Sequence, residues 1–181
     1  MVRPDHWIRK MALEHGLIEP FSERVANDEI ASYGLQPAGY DARLDPRILV
    51  FDSVIASGRV FDPLKPNRDF FFPKLADPYF DIPPHGFIEA TTLEYFRVPR
   101  DCVVRGMGKN VYLGLGLIIS SINPGWEGHL RIRIVNACSF PVRIYGNQGI
   151  LHLQFEMLES ACERSYSEIE GTRFQNQTIL C

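Results

Sequence analysis

In the stretch GHLRIRIVNA, residues 128–137, strand alternation sets Leu130, Ile132 and Ile134 on one face. The other face carries His129, Arg131, Arg133 and Val135. Two guanidinium groups side by side can bind an anion or pair with carboxylates. Neither can act as a base, because a guanidinium has no acceptor and stays charged at any accessible pH. Glu89 and Glu127 are the carboxylates that could take that role, although each has an ordinary alternative as a solvated or paired group. Arg131 reads as a surface or interface charge, whereas Arg133 is open between binding an anion and closing a cleft by pairing with a carboxylate. Trp126, just upstream, reads as a packing aromatic.

Metal chemistry finds no support. Cys102, Cys138, Cys162 and Cys181 are far apart with no CxxC pair, which is the usage of reduced thiols rather than a zinc site or disulfide framework. His6, His15, His85, His129 and His152 are equally scattered, without HExxH spacing.

The 181 residues suit one domain over 1–181, and 45% hydrophobic content with 23% charge is enough for a full core. A net charge of −3 argues against a nucleic-acid surface built on general electropositivity, but not against a local basic pocket. No apolar run is long enough to span a membrane, and the N-terminus lacks the apolar stretch of a secretory signal. These features together predict a cytoplasmic location.

The elements that must position the arginines are mostly strands. Residues 5–16 form the one clear helix, with Asp5 as N-cap, Gly16 as stop, and Trp7, Ile8, Met11 and His15 along one stripe. Beyond it, 13 prolines and 14 glycines punctuate short runs rich in Val, Ile, Phe and Tyr, the texture of an all-β sandwich or barrel. Strands are expected over 39–44, 47–52, 86–91, 94–98, 112–120, 129–136, 141–145 and 149–157. The proline-rich stretch 62–85 reads as a long covering loop pinned by Phe70, Phe71 and Phe72. The segment 160–181 reads as a mobile tail that orders on packing or binding.

Several stretches, in order, resemble the dCTP deaminase family within the dUTPase-like superfamily: WIRKMALEHGLIEPF, SYGLQPAGYDARL, TTLEYFRVPRD, WEGHLRIRIVN, FPVRIYGNQGILHLQF and SYSEIEGTRFQNQ. The resemblance covers nearly the whole chain. It implies a mainly β fold, a distorted antiparallel β-barrel or jelly roll with an N-terminal helix, assembled as a homotrimer with nucleotide sites between subunits. The family reaction converts dCTP and water to dUTP and ammonia, and some members continue to dUMP. It uses no zinc or other tightly bound cofactor, and Mg2+ accompanies a bound triphosphate.

The resemblance also locates the site residues. The family's catalytic glutamate lies three residues before the strand's asparagine; here that asparagine is Asn136 and the matching residue is Arg133. In the phosphate loop, GKNVYLGLG, Gly108 and Lys109 fit the pattern, Asn110 and Val111 replace two hydroxyl residues, and Gly114 stands in place of an arginine. The loop IISSINPGWEGH is about two residues shorter than in relatives, with Ser120, Ser121 and Asn123 as its polar groups. Asn123 lies near the dUTPase branch's catalytic aspartate, a role an amide cannot fill. Tyr166, Arg173 (lysine in the family), the aromatic Phe174 and Gln177 match the C-terminal segment that folds over bound triphosphate. Asp41 matches a residue of both branches and reads as a buried hydrogen-bonding group.

The expected nucleotide-binding set is therefore Lys109, Asn110, Asn123, Tyr166, Arg173 and Gln177, with no confident catalytic residue. Three functions of different classes follow. One is a binder of pyrimidine deoxynucleotides, as sensor, sequestering protein or regulatory subunit, that lacks ordinary deamination. A second is an enzyme on a different or modified pyrimidine nucleotide with a relocated base. The third is a structural trimer without a ligand.

Overall fold

The computed structural model describes residues 1–52, 56–60, 62, 64–65, 69–112, 114–118, 121–172 and 174–180. Helix α1 (Asp5–His15) starts one residue earlier than a cap at Asp5 would give: Pro4 is the extended N-cap, and Asp5 is a first-turn acid. Gly16, at φ 64°, ends the helix and donates its N–H to the Ala12 carbonyl. The apolar stripe of Trp7, Ile8 and Met11 continues through buried Ala12, while His15 is exposed. A helix stripe advances four residues, then three or four, and Ala12 completes it against the core.

The rest is antiparallel β structure. One sheet runs β5 (Phe71–Leu75), β4 (Arg47–Phe51), β7 (Phe87–Arg97), β10 (Glu127–Asn136) and β9 (Leu115–Ile118), with β1 (Ile18–Glu19) also on β7. A second runs β2 (Gly34–Gln36), β3 (Gly39–Arg43), β12 (Gly149–Met157) and β8 (Cys102–Gly108). A small third pairs β6 (Tyr79–Ile82) with β11 (Val142–Tyr145). Ile8, Tyr40, Phe96, Ile132, Ile134, Leu153 and Phe155 have no exposed surface and sit in one continuous core.

This architecture agrees with the mainly β expectation but differs in detail. The segment read as a covering loop contains β5 and β6; Pro73 lies in the edge strand β5, and Pro78 and Pro83 flank β6, where an amide is not needed by a neighbour. Phe70 does pin the segment, being buried beside Phe51, whereas Phe72 is 38% exposed. The expected pair over 86–98 is one long strand, β7. The stretch from 112 begins with a 3-10 turn (Asn110–Tyr112), so only Leu115–Ile118 pairs as β9; positions 119 and 120 lie outside the described residues. β1, β2 and β8 were not among the expected strands: β1 and β2 are only two and three residues long, and the β8 sequence CVVRGMG shows no clean alternation.

The ladder between β7 and β10 is irregular between His129 and Arg131. There the Leu130 N–H is met by the Thr92 hydroxyl at 2.9 Å instead of a backbone carbonyl. Glu94, in the same irregular stretch, turns inward and is fully buried. Its carboxylate accepts from Arg43 Nε at 2.7 Å, from the Arg43 backbone N–H at 2.8 Å and from the Tyr40 hydroxyl at 3.4 Å. This bond set ties β3 of one sheet to β7 of the other.

Burial is the largest influence on the Glu94 carboxyl and pushes its pKa up from 4.5; the hydrogen bonds and charge of Arg43 pull against it. Arg43→Ala leaves that carboxyl without its cation and should cost about 3–5 kcal/mol in urea unfolding. The unfolded chain releases the Glu94 proton near 4.5, while the native variant retains it to higher pH. The deficit should therefore widen as pH rises above 4.5 and shrink below it. A deficit independent of pH would show that Arg43 acts by packing alone.

Candidate functional site

Arg133 extends from β10 opposite Glu89 on β7, and the register places the two residues directly across from each other. Its Nε donates to Glu89 Oε1 at 2.9 Å. The carboxylate is almost wholly buried, with its side chain 8% exposed, while the arginine side chain is 47% exposed. The guanidinium thus covers a buried acid on one side and faces solvent on the other.

That open side is part of a cleft of about 500 Å³. Its polar lining comprises Ser121, Asn123, Arg131, Arg133, Tyr166 and Gln177, and no carboxylate is among the described lining residues. Three stretches of chain assemble it: β10 with Trp126 just before it, the end of β9 with Ser121, Ile122 and Asn123, and the C-terminal segment.

The turn Asn123–Pro124–Gly125 is fixed by backbone geometry. Trp126 donates its N–H to the Asn123 carbonyl at 3.2 Å, and Gly125 has φ 75°. A Cβ at Gly125 would lie 2.5 Å from the Ser165 Cβ, so conformation and space both require glycine. Tyr166 follows, its N–H bonded to the Pro124 carbonyl at 2.8 Å, in a 3-10 turn (Tyr166–Glu168) with a Ser165–Glu168 capping box. The Ser165 backbone and side-chain bonds lower the Glu168 pKa, helped by Arg100, whose Nη2 lies 3.0 Å away.

Beyond this point the segment lies along β10. Gln177 accepts the His129 N–H at 2.8 Å, the Asn176 N–H reaches the Glu127 carbonyl at 2.9 Å, and Trp126 Nε1 donates to the Phe174 carbonyl. Gly128, at φ 145°, permits the close approach, since a Cβ there would be 2.7 Å from the Gln177 nitrogen. Trp126 is buried, and its indole serves as a packing group with one bond to the tail. Glu127 accepts from the Tyr95 hydroxyl at 3.3 Å.

Arg133, Asn123, Tyr166 and Gln177 therefore meet in one cleft, and Arg173 lies outside the described residues. Lys109 and Asn110 do not join them. Lys109 lines a different depression with residues of the 24–32 loop, and Asn110 is exposed in the 3-10 turn beside it. Lys109 Nζ bonds Ser32 Oγ at 3.0 Å and also pairs with Asp41, whose other oxygen meets His152 Nδ1 at 2.7 Å. Asp41 is thus the buried hydrogen-bonding group that the sequence suggested, and it holds the one basic residue of the loop. Ser32 and His152 were not singled out beforehand; their meeting depends on β2, β3 and β12 being neighbours, which no local pattern encodes.

Gly114 has a structural reason of its own. Its φ is 90°, and a Cβ on it would lie 2.3 Å from Cys138 Sγ, which fills the space beside it. Among the described residues no set of three or more His, Cys, Asp or Glu is placed to hold a metal ion. Among them also, no helix is long and apolar enough to cross a membrane.

A family profile described as dCTP deaminase-like matches residues 2–158. A dCTP deaminase of Chloroflexus aggregans is 42% identical over 181 residues, covering 98% of this chain and 94% of that one. A dCTP deaminase of Wolbachia sp. subsp. Drosophila simulans is 38% identical over 178 residues, covering 97% and 94%. The crystal structure of 2'-deoxycytidine 5'-triphosphate deaminase from Agrobacterium tumefaciens superposes with a TM-score of 0.65 at 15% identity. That match covers 86% of this chain but only 47% of the other, so the chain spans about half its length, and the likeness is one of fold.

The Gly114 geometry is testable by a double-mutant cycle. Gly114→Ala should lower stability by about 1–2 kcal/mol, part from the positive φ and part from the thiol. Cys138→Ala in the same chain should recover the steric part only, seen as a partial return of the urea midpoint. Strictly additive effects of the two changes would show that Cys138 does not occupy that space.

Proposed function

The chain belongs to the dCTP deaminase-like family, and from that premise we propose that it binds a pyrimidine deoxynucleotide without performing the ordinary deamination. The observation that carries this reading is the Arg133–Glu89 pair in the wall of the cleft. Hydrolytic deamination needs a group that takes a proton from water as it attacks C4 and returns one to the departing amine. The resemblance puts a glutamate there; this chain puts a guanidinium, which has no acceptor.

The neighbouring carboxylates do not replace it. Glu89 is buried behind Arg133 and bonded to it, and Glu127 is occupied by the Tyr95 hydroxyl. Glu89 nevertheless lies close enough to the cleft wall to sustain a second reading, an enzyme on a modified pyrimidine nucleotide in which ligand binding displaces Arg133 and frees that acid.

The separation of Lys109 and Asn110 from the cleft supports a site completed between copies in a homotrimer, the loop of one copy meeting the cleft of its neighbour. Phosphates would then compete with Asp41 for Lys109. No described cluster of acids suits a resident metal, so Mg2+ would arrive on a triphosphate, held largely by phosphate oxygens and water. The cytoplasm, where deoxynucleotides are made and used, is the location this reading calls for.

Thermal or chemical unfolding with a panel of ribo- and deoxynucleotides plus Mg2+ tests it. A bound pyrimidine deoxynucleotide at about 100 times Kd should add roughly 2.7 kcal/mol of stability, with no ammonia released from dCTP. Arg133→Glu alone should not create deamination, because Asn110, Val111 and Gly114 also depart from the family loop. Steady dCTP turnover by the wild type, unaffected by Arg133→Ala, would overturn the proposal. If no nucleotide stabilises the chain, the ligand-free structural trimer is the surviving reading.

A further inference from the structure

We propose that the cleft selects pyrimidines carrying a 4-oxo group, such as uracil or thymine deoxynucleotides, over the 4-amino ring of cytosine. This rests on the nucleotide reading above and names which ring the site prefers. The reason is the donor-only character of Arg133. A guanidinium carries five N–H donors, and Arg133 gives one of them, at Nε, to Glu89. Among the described residues its terminal nitrogens form no further hydrogen bond, and the side chain is 47% exposed and lines the cleft.

The carboxylate behind this wall is already engaged, whereas the Ser121 and Tyr166 hydroxyls can each turn to donate or accept. Glu89 is turned inward to Arg133, and the Gln177 side-chain oxygen faces the Arg131 backbone N–H at 3.4 Å, which leaves its amide NH2 for the cleft. No carboxylate is among the described lining residues. Asn123, exposed at the rim, can likewise offer either a donor or an acceptor to the ring.

Cytosine presents an NH2 donor at its 4-position; uracil and thymine present a carbonyl acceptor there. Against a donor wall, the carbonyl makes a charge-assisted bond, while the amine sets donor against donor and leaves both desolvated. Discrimination of this kind exceeds what shape alone would give, because the two rings are nearly isosteric.

Titration calorimetry with dUTP, dTTP and dCTP, each with Mg2+, reads the preference directly. Wild type should bind dUTP or dTTP at least about tenfold more tightly than dCTP. Arg133→Gln, which offers an acceptor as well as a donor, should bring dUTP and dCTP to within about threefold of each other. Glu89→Gln is the second variant: it retains Arg133 and should keep the oxo preference, so it serves if Arg133→Gln fails to fold. Tighter or equal binding of dCTP by the wild type overturns this inference while leaving the nucleotide reading intact, as does an equal loss for all nucleotides in Arg133→Gln. Absence of binding by every nucleotide overturns both.

Discussion

Four carboxylates are buried among the described residues, Asp41, Asp45, Glu89 and Glu94, and each is met by a basic side chain. The partners are Lys109, Arg47, Arg133 and Arg43. An ionised carboxylate removed from water is costly unless a cation and hydrogen bonds replace its hydration, so each acid dictates where a cation must sit. Glu94 joins β3 to β7, Asp41 joins β3 to the end of β8, and Glu89 joins β7 to β10. The same links that hold the sheets in register also determine which cations remain available to a ligand.

The consequence for function lies in how fully each cation is committed. Arg43 is largely enclosed, bonded to Glu94 and packed over the Tyr33 ring, and belongs to the scaffold. Lys109 is held between Asp41 and Ser32, so an anion would have to share it. Arg133 is different, because a guanidinium can satisfy a buried acid through Nε and still present its terminal nitrogens outward. A lysine could not hold both geometries in the same planar fork.

The cleft owes its walls to close backbone approaches rather than to a large apolar cavity. Gly125 and Gly128 admit the chain at Ser165 and Gln177, and Trp126 anchors the tail through one indole bond. Tyr166, Gln177 and Arg133 are brought together from positions distant in sequence by these contacts. Gly114 with Cys138 shows the same economy elsewhere: a side chain missing from one strand end is compensated by a thiol from the turn after β10.

Sequence alone determined the family, the predominance of strands, the N-terminal helix and the face of β10 that carries Arg131 and Arg133. These follow from period-two alternation, helical spacing and long collinear motifs, all of which are local or nearly so. It also raised the expectation, from the family resemblance, that Arg133 stands at the place of a carboxylate, since side-chain identity needs no coordinates. Tertiary structure decided the rest: that Glu89 rather than Glu127 is the partner of Arg133, that Lys109 belongs to Asp41, and that β5 and β6 pair within a stretch read as loop. Each of those depends on which strands become neighbours and in what register, and a pairing between residues 44 or 68 positions apart leaves no periodic trace in the chain.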